Sequence, residues 1–232
     1  MAAALGVMAL AATRSADTVK HVLRVQQYLR VLGRRLQALP TFAQTLADDQ
    51  LERVVQAAVF HDMGTIGIPD RILLKPGRVT PEEFEIIKTH TTLARDVLDQ
   101  AAIMLGVTPQ SLALVRELTY CHHERWDGSG YPRGIKGEEI PTPARLLAIT
   151  DVYDALISDR VYKSGVPHDQ AVAVIFQGRG SQFDPDMVDA FIEIQDEFRR
   201  IAEEHADTES DMQGIIAYMA NAIAEDAVVT AP

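Results

Sequence analysis

The sequence predicts an all-α fold, a helical bundle interrupted by long functional loops. Three observations predict it. Of 232 residues 47% are hydrophobic but only 6% aromatic, and Ala, Leu, Glu, Gln and Arg fill the long stretches, a balance that favours helices. A capping residue precedes proline at Thr80-Pro81, Thr108-Pro109, Thr142-Pro143 and Asp184-Pro185. There the capping oxygen accepts an orphan backbone N–H, while proline presets φ where its missing N–H does no harm. No alternating apolar run is long enough to suggest a strand.

Taken in order, residues 1–16, with the opening MAAALGVMALAA, are too short to span a bilayer and lack a basic start. They read as a connecting helix or a chain edge. Helices are expected from about Asp17 to Leu39 and from about Leu46 to Asp62. Between Met63 and Val79 the three glycines and two prolines of GTIGIPDRILLKPGRV suggest a loop. Thr80 with Glu83 completes a capping box, opening a run in which Phe84, Ile87, Thr91 and Ala94 share a face. Leu112, Val115 and Leu118 mark the next stripe, and a second long loop runs from Trp126 to Pro143. Loops of that size within a domain usually carry function or are disordered, and these two directly follow "HD" and "HHE". Past about Arg199 the chain turns acidic and then alanine-rich. The expected division is 1–16, a catalytic domain over 17–199, and a terminal helix or mobile tail over 200–232.

The formal net charge of -11 argues against duplex nucleic acid or an anionic membrane as the main partner, because both need a basic face. Any anionic ligand must be gripped locally. The lone cysteine, Cys121, excludes an internal disulfide and suits a reducing, cytoplasmic setting. It is expected as a small buried apolar residue.

The candidate metal ligands are Asp17, His21, His61, Asp62, His90, His122, His123 and Asp151. Asp17 and His21, four apart, stack on one helical face about 6 Å apart along the axis. His122 falls on the stripe of Leu112, Val115 and Leu118, and Asp151 lies four residues from both Leu147 and Ala155, on an apolar face. A buried lone carboxylate is costly and needs a cation, a proton or several donors. Neighbours on a helix point about 100° apart, so His61 with Asp62, and His122 with His123, are expected to flank two ions, with the two oxygens of Asp62 bridging them. So many donors exceed the shell of one transition ion and suit two or three that keep open water positions. A set without thiolates fits iron or manganese, with nickel, cobalt or zinc as alternatives. Two ions about 3.5–4 Å apart can hold a hydroxide at neutral pH and stabilise both the entering and leaving oxygens of a phosphoryl displacement. The constellation therefore predicts phosphoester hydrolysis.

The ordered stretches HDMGTIGIPDRILLKPG, HHERWDGSGYPRGIKGEEIP, DVYDALISDRVYK and FDPDMVDAF together resemble the HD-GYP family, a branch of the HD-domain metal-dependent phosphohydrolases. The resemblance runs from about Asp17 to Ile194. It implies an HD-domain bundle, two or three divalent ions, iron or manganese first, and hydrolysis of bacterial cyclic di-GMP to linear pGpG or GMP by a metal-bridging hydroxide. His61 and Asp62 match the naming pair, with Asp62 as the bridging and catalytic carboxylate. His90, the doubled His122 and His123, and Asp151 match further ligands, and Asp17 with His21 match the upstream pair of trinuclear members.

Arg160 and Lys163 resemble the pair that grips substrate phosphate, a planar fork and a compact charge. Asp154, one turn past Asp151, is expected at the catalytic site, orienting basic groups or a water. The bend of Gly128, Gly130 and Pro132 would set Tyr131 at the pocket mouth, to stack on guanine or to face a partner such as a diguanylate cyclase domain. A sensory or receiver domain often accompanies this family upstream. The sequence departs from the family at Thr65, where lysine is usual. Losing a charge-assisted contact of about 1.5–3 kcal/mol would slow turnover or weaken substrate binding roughly ten- to hundredfold. The alternative to an enzyme is thus a catalytically weak cyclic di-GMP sensor or interaction module.

Overall fold

The computed structural model describes residues 19–75, 77–159 and 164–217. The expected N-terminal helix of residues 1–16 lies outside that range, as do Asp17, Arg160, Lys163 and residues 218–232. The described chain is helical without extended strands, and an isolated bridge joins Arg179 to Phe183. None of its helices is long and apolar enough to cross a membrane.

The centre of the bundle is α1 (Val19–Leu36), to which α2 (Pro40–Ala43) and α3 (Asp48–Ala57) succeed. Its residues Val25, Tyr28, Leu29, Leu32 and Leu36 are buried, a stripe at helical spacing. After α4 (Asp70–Leu73), α5 (Pro81–Lys88), α6 (His90–Leu105) and α7 (Ala113–Cys121) comes α8 (Thr142–Ile157), which packs against α1 and α7. It is buried continuously from Leu146 to Thr150, as expected of a helix enclosed on most sides. Two further helices, α9 (His168–Gln177) and α10 (Pro185–Glu204), close the bundle over α8 and α1. An aromatic seam joins the three central helices. Tyr28 stacks on Phe198 at 4.6 Å, and Tyr153 meets both rings edge-on at 5.3 and 5.2 Å. Such pairs contribute about 0.5–1.5 kcal/mol each beyond area burial, and this seam fixes the register of α1 against α8.

Thr80 caps α5 with the full capping box, and Asp184 caps α10 by accepting from the N–H groups of Asp186 and Met187. The other two expected caps differ. Thr142 lies just inside α8 and its hydroxyl accepts from Arg145, while Thr108 precedes a short 3-10 turn without capping its backbone. The first long helix stops at Leu36 because Pro40 forces Leu39 into an extended conformation. The second stops at Ala57, after which a 3-10 turn, Ala58–Phe60, tightens the chain ahead of His61. The expected loop from Met63 to Val79 contains a 3-10 turn, Met63–Gly67, and the short α4. The chain past Arg199 continues to Glu204 as helix, and residues 205–211 are held against α1 through Lys20 and Arg24.

Candidate metal centre

The described donor residues other than Asp151 sit where helices begin and end. His61 and Asp62 follow the 3-10 turn after α3, His90 is the first residue of α6, and His122 and His123 follow the end of α7. His21 lies in the first turn of α1 and Asp151 midway along α8. The Asp62 carboxylate stands between them. Its Oδ2 is 3.4 Å from His61 Nε2, while its Oδ1 is 3.5 Å from His90 Nε2 and 3.4 Å from His122 Nε2. On the far side, Asp151 Oδ1 is 3.8 Å from His61 Nε2 and 3.7 Å from His21 Nε2. Donor atoms of Asp62, His90, His122 and His123 all lie within 4.8 Å of one another, and so do those of His21, His61 and Asp151.

The imidazoles are turned by their outer nitrogens. His61 Nδ1 donates to the Ala58 carbonyl at 2.8 Å, His90 Nδ1 to Ile87 at 2.7 Å and His122 Nδ1 to Leu118 at 3.0 Å. With the proton on Nδ1, each ring presents an Nε2 lone pair inward. Those Nε2 atoms of His61, His90 and His122 are buried without a hydrogen-bond partner. Buried polar atoms are rarely left so, and a divalent cation is the group that nitrogen lone pairs flanked by carboxylates would satisfy. The donor set fits a metal centre.

Its electrostatics point the same way. Burial alone would lower His61, yet the carboxylates of Asp62 and Asp151 push its imidazole up to about 10. Burial would raise Asp62, but the surrounding imidazoles, His61 foremost, hold it well below the ordinary carboxylate range. His123 is driven well below the usual histidine value by burial and by His122, and His90 is lowered chiefly by burial. Positive charge is therefore favoured around Asp62 and Asp151, and neutral imidazole at His90 and His123.

The two adjacent pairs behave differently. His61 and Asp62 fall in different donor groups, as expected, whereas His122 and His123 belong to one, their rings 4.0 Å apart. The 100° rule applies inside a regular helix, and the doubled histidine lies in a turn just past the end of α7. Gly64 brings the parts together: a Cβ there would stand 1.9 Å from the His90 carbonyl oxygen, so only glycine lets this turn press against α6.

Thr65 is buried and its hydroxyl donates to the Asp62 carbonyl at 2.7 Å, which commits it to the turn rather than to a substrate. Asp154, also expected at the catalytic site, is 1% exposed and bound to Arg24 and His21 instead. Tyr131 does reach the pocket, with its ring 4.8 Å from His123 and edge-on to Phe84 at 6.2 Å. Its bend folds directly over the doubled histidine. A Cβ on Gly130 would fall 2.3 Å from the Arg125 nitrogen, and the Tyr131 N–H donates to the His123 carbonyl. A cleft of about 410 Å³ opens beside the donors, lined among others by Phe84, His122, His123, Arg125, Tyr131 and Asp151.

Sequence reasoning passed over two residues. Glu124 is buried and accepts from the Arg133 N–H at 2.8 Å, pinning the loop that carries Tyr131. Arg24 is 2% exposed, and its signal was its place one turn after His21 on the buried face of α1.

A family model described as HD domain matches residues 7–187. The chain is 46% identical over 203 residues to a probable cyclic di-GMP phosphodiesterase of Vibrio cholerae serotype O1, covering 88% of this chain and 46% of that protein. A cyclic di-GMP phosphodiesterase of the same organism is 44% identical over 200 residues, covering 86% of this chain and 40% of the relative. This chain thus spans less than half the length of these curated relatives. Its fold is similar to that of Bd1817, an HDG"Y"P protein from Bdellovibrio bacteriovorus, with a TM-score of 0.55 at 18% identity over 76% of this chain and 51% of that one. The chain belongs to the HD-domain family.

Proposed function

We propose that the chain is a metal-dependent phosphodiesterase that hydrolyses cyclic di-GMP to linear pGpG or GMP. The observation that carries this reading is the single Asp62 carboxylate offering one oxygen to each of two donor groups. In it, His90, His122 and His123 would hold one divalent ion and His21, His61 and Asp151 a second, with Asp62 standing between the two groups. Iron and manganese suit this mixture of imidazole and carboxylate without thiolate. The bound ions would supply Lewis acidity and a nucleophilic water at neutral pH.

The protein's own share is positioning. Carbonyl-anchored imidazoles fix the donor directions, and the cleft under Tyr131 and Phe84 admits a phosphodiester flanked by flat bases. Asp17 would extend the set towards a third ion, and Arg160 with Lys163 would grip phosphate. The similarity to the two V. cholerae proteins supports cyclic di-GMP as substrate. A cytoplasmic setting, a cyclase domain on the Tyr131 loop and an upstream sensory or receiver domain belong to the same reading.

Thr65 favours a second reading, a weak enzyme that acts mainly as a cyclic di-GMP sensor, because its hydroxyl is already engaged by Asp62. The test is chromatography of products after anaerobic loading with iron or manganese. Appearance of pGpG or GMP supports the enzyme, and binding without product across several metals selects the sensor. Failure both to bind and to cleave ends both readings.

A further inference from the structure

Among the described donors His21 is held differently from the other anchored imidazoles. Its Nδ1 faces a carboxylate, Asp154 Oδ2, at 2.9 Å, where His61, His90 and His122 face backbone carbonyls. Asp154 is in turn gripped by Arg24, whose Nε meets Oδ1 at 2.6 Å and whose Nη2 meets Oδ2 at 2.9 Å. Ser158 bridges the pair, its hydroxyl accepting from Arg24 Nη2 at 2.9 Å and donating to Asp154 at 3.2 Å. The remaining Arg24 donors leave the core. Nη1 reaches the His205 carbonyl at 3.0 Å and Asp207 Oδ2 at 2.9 Å, both beyond the end of α10. Every N–H of the guanidinium is thereby used.

A buried ion pair is weak grounds for stability, because desolvating the two charges offsets most of their attraction and apolar replacements are often as stable. What such a pair does supply is direction. The Asp154 carboxylate fixes the His21 tautomer with its proton on Nδ1 and turns Nε2 towards Asp151. It also adds negative charge behind the imidazole, making it a better electron donor. Arg24 holds that carboxylate in one plane, as only a bidentate fork can.

We propose that Asp154 and Arg24 are positioning residues for His21, and that the segment from His205 to Asp207, by completing the Arg24 shell, sets how firmly the His21, His61 and Asp151 group retains its ion. The inference rests on the metal-centre reading given above. It makes one half of the centre responsive to a segment outside the catalytic cleft, while the half built on His90, His122 and His123 is insensitive to it.

The experiment loads the full chain with Mn2+ alone and titrates it with a chelator, counting retained metal per protein and following the electron paramagnetic resonance of coupled manganese. Wild type is compared with Asp154→Asn, Arg24→Lys and Asp207→Asn. The expected result is that one Mn2+ is released about 10- to 100-fold more easily in Asp154→Asn, less so in Arg24→Lys and least in Asp207→Asn. The other ion is retained as in wild type and the coupled signal gives way to that of an isolated ion. A purely structural role would lower the unfolding midpoint without separating the two releases. Equal retention in all variants, or loss of both ions together, overturns the proposal. Should Asp154→Asn fail to fold, Arg24→Lys and Asp207→Asn decide by the same readings. A wild-type chain that retains no Mn2+ sinks the metal-centre reading and this inference with it, whereas retention indifferent to all three substitutions sinks the inference alone.

Discussion

The two donor groups are built in opposite ways. In the group of His90 and His122 each imidazole leans on a carbonyl three or four residues back, so the helix that ends just before it sets its direction. In the group of His21 and Asp151 the outermost imidazole leans on a side chain 133 residues away, and the helices concerned meet only through the packing of α1 on α8. Local geometry aims the imidazoles of the first group, and tertiary packing aims the outermost imidazole of the second. The first should therefore survive perturbations of the bundle core that disturb the second.

Four substitutions break or sharpen that contrast. The largest effect is expected at Asp62, which serves both groups. Asp62→Ala should bring cyclic di-GMP turnover to the uncatalysed background and abolish metal coupling, with circular dichroism still helical. Phe198→Ala comes next, removing the ring stacked on Tyr28 beneath α1. It should cost about 3–5 kcal/mol in urea unfolding, and in the folded fraction it should weaken the His21 group before the His90 group. Equal weakening of both would contradict the division.

Thr65→Lys removes one hydrogen bond to the Asp62 carbonyl, at about 1 kcal/mol of stability. It also returns a cation to the turn, so kcat/KM for cyclic di-GMP should rise about tenfold. Steady-state rates beside a denaturation curve check both halves of that statement.

The smallest effect lies outside both groups, at the cap of α5. The Lys75 ammonium and the Thr80 N–H hold the Glu83 carboxyl below its ordinary value of 4.5. A depressed carboxyl contributes stability that is fully present above its ordinary value and is lost as pH falls through the folded one. The thermal midpoint of Glu83→Gln should therefore lie below wild type at neutral pH and converge on it in acid. Midpoints that differ as much in acid as at neutrality would mean that the cap acts by shape and not by charge.

The contrast also explains what the sequence made legible. The all-α class, the capping box at Thr80 and the stripe leading to His122 are periodic or local signals, and the structure has them. Convergence of His122 and His123 on one donor group was not legible, because they lie in a turn past the end of α7 where helical spacing no longer applies. Thr65 looked like a neutral stand-in for a substrate contact, yet its hydroxyl bonds locally to the same Asp62 carbonyl that accepts its backbone N–H. Asp154 was legible as an acid that orients basic groups, whereas nothing in the sequence marked Arg24, 130 residues away, as its partner. Only the crossing of α1 and α8 turns them into a pair.

Gly64 has one more consequence. With its missing methyl, the chain there works as a gauge block: the separation of the Asp62 turn from the start of α6 is set by backbone touching backbone. A single added carbon would act as a wedge. Alanine at that position would leave every liganding atom chemically intact and still spoil the cluster, a lesion that an inventory of reactive groups would overlook.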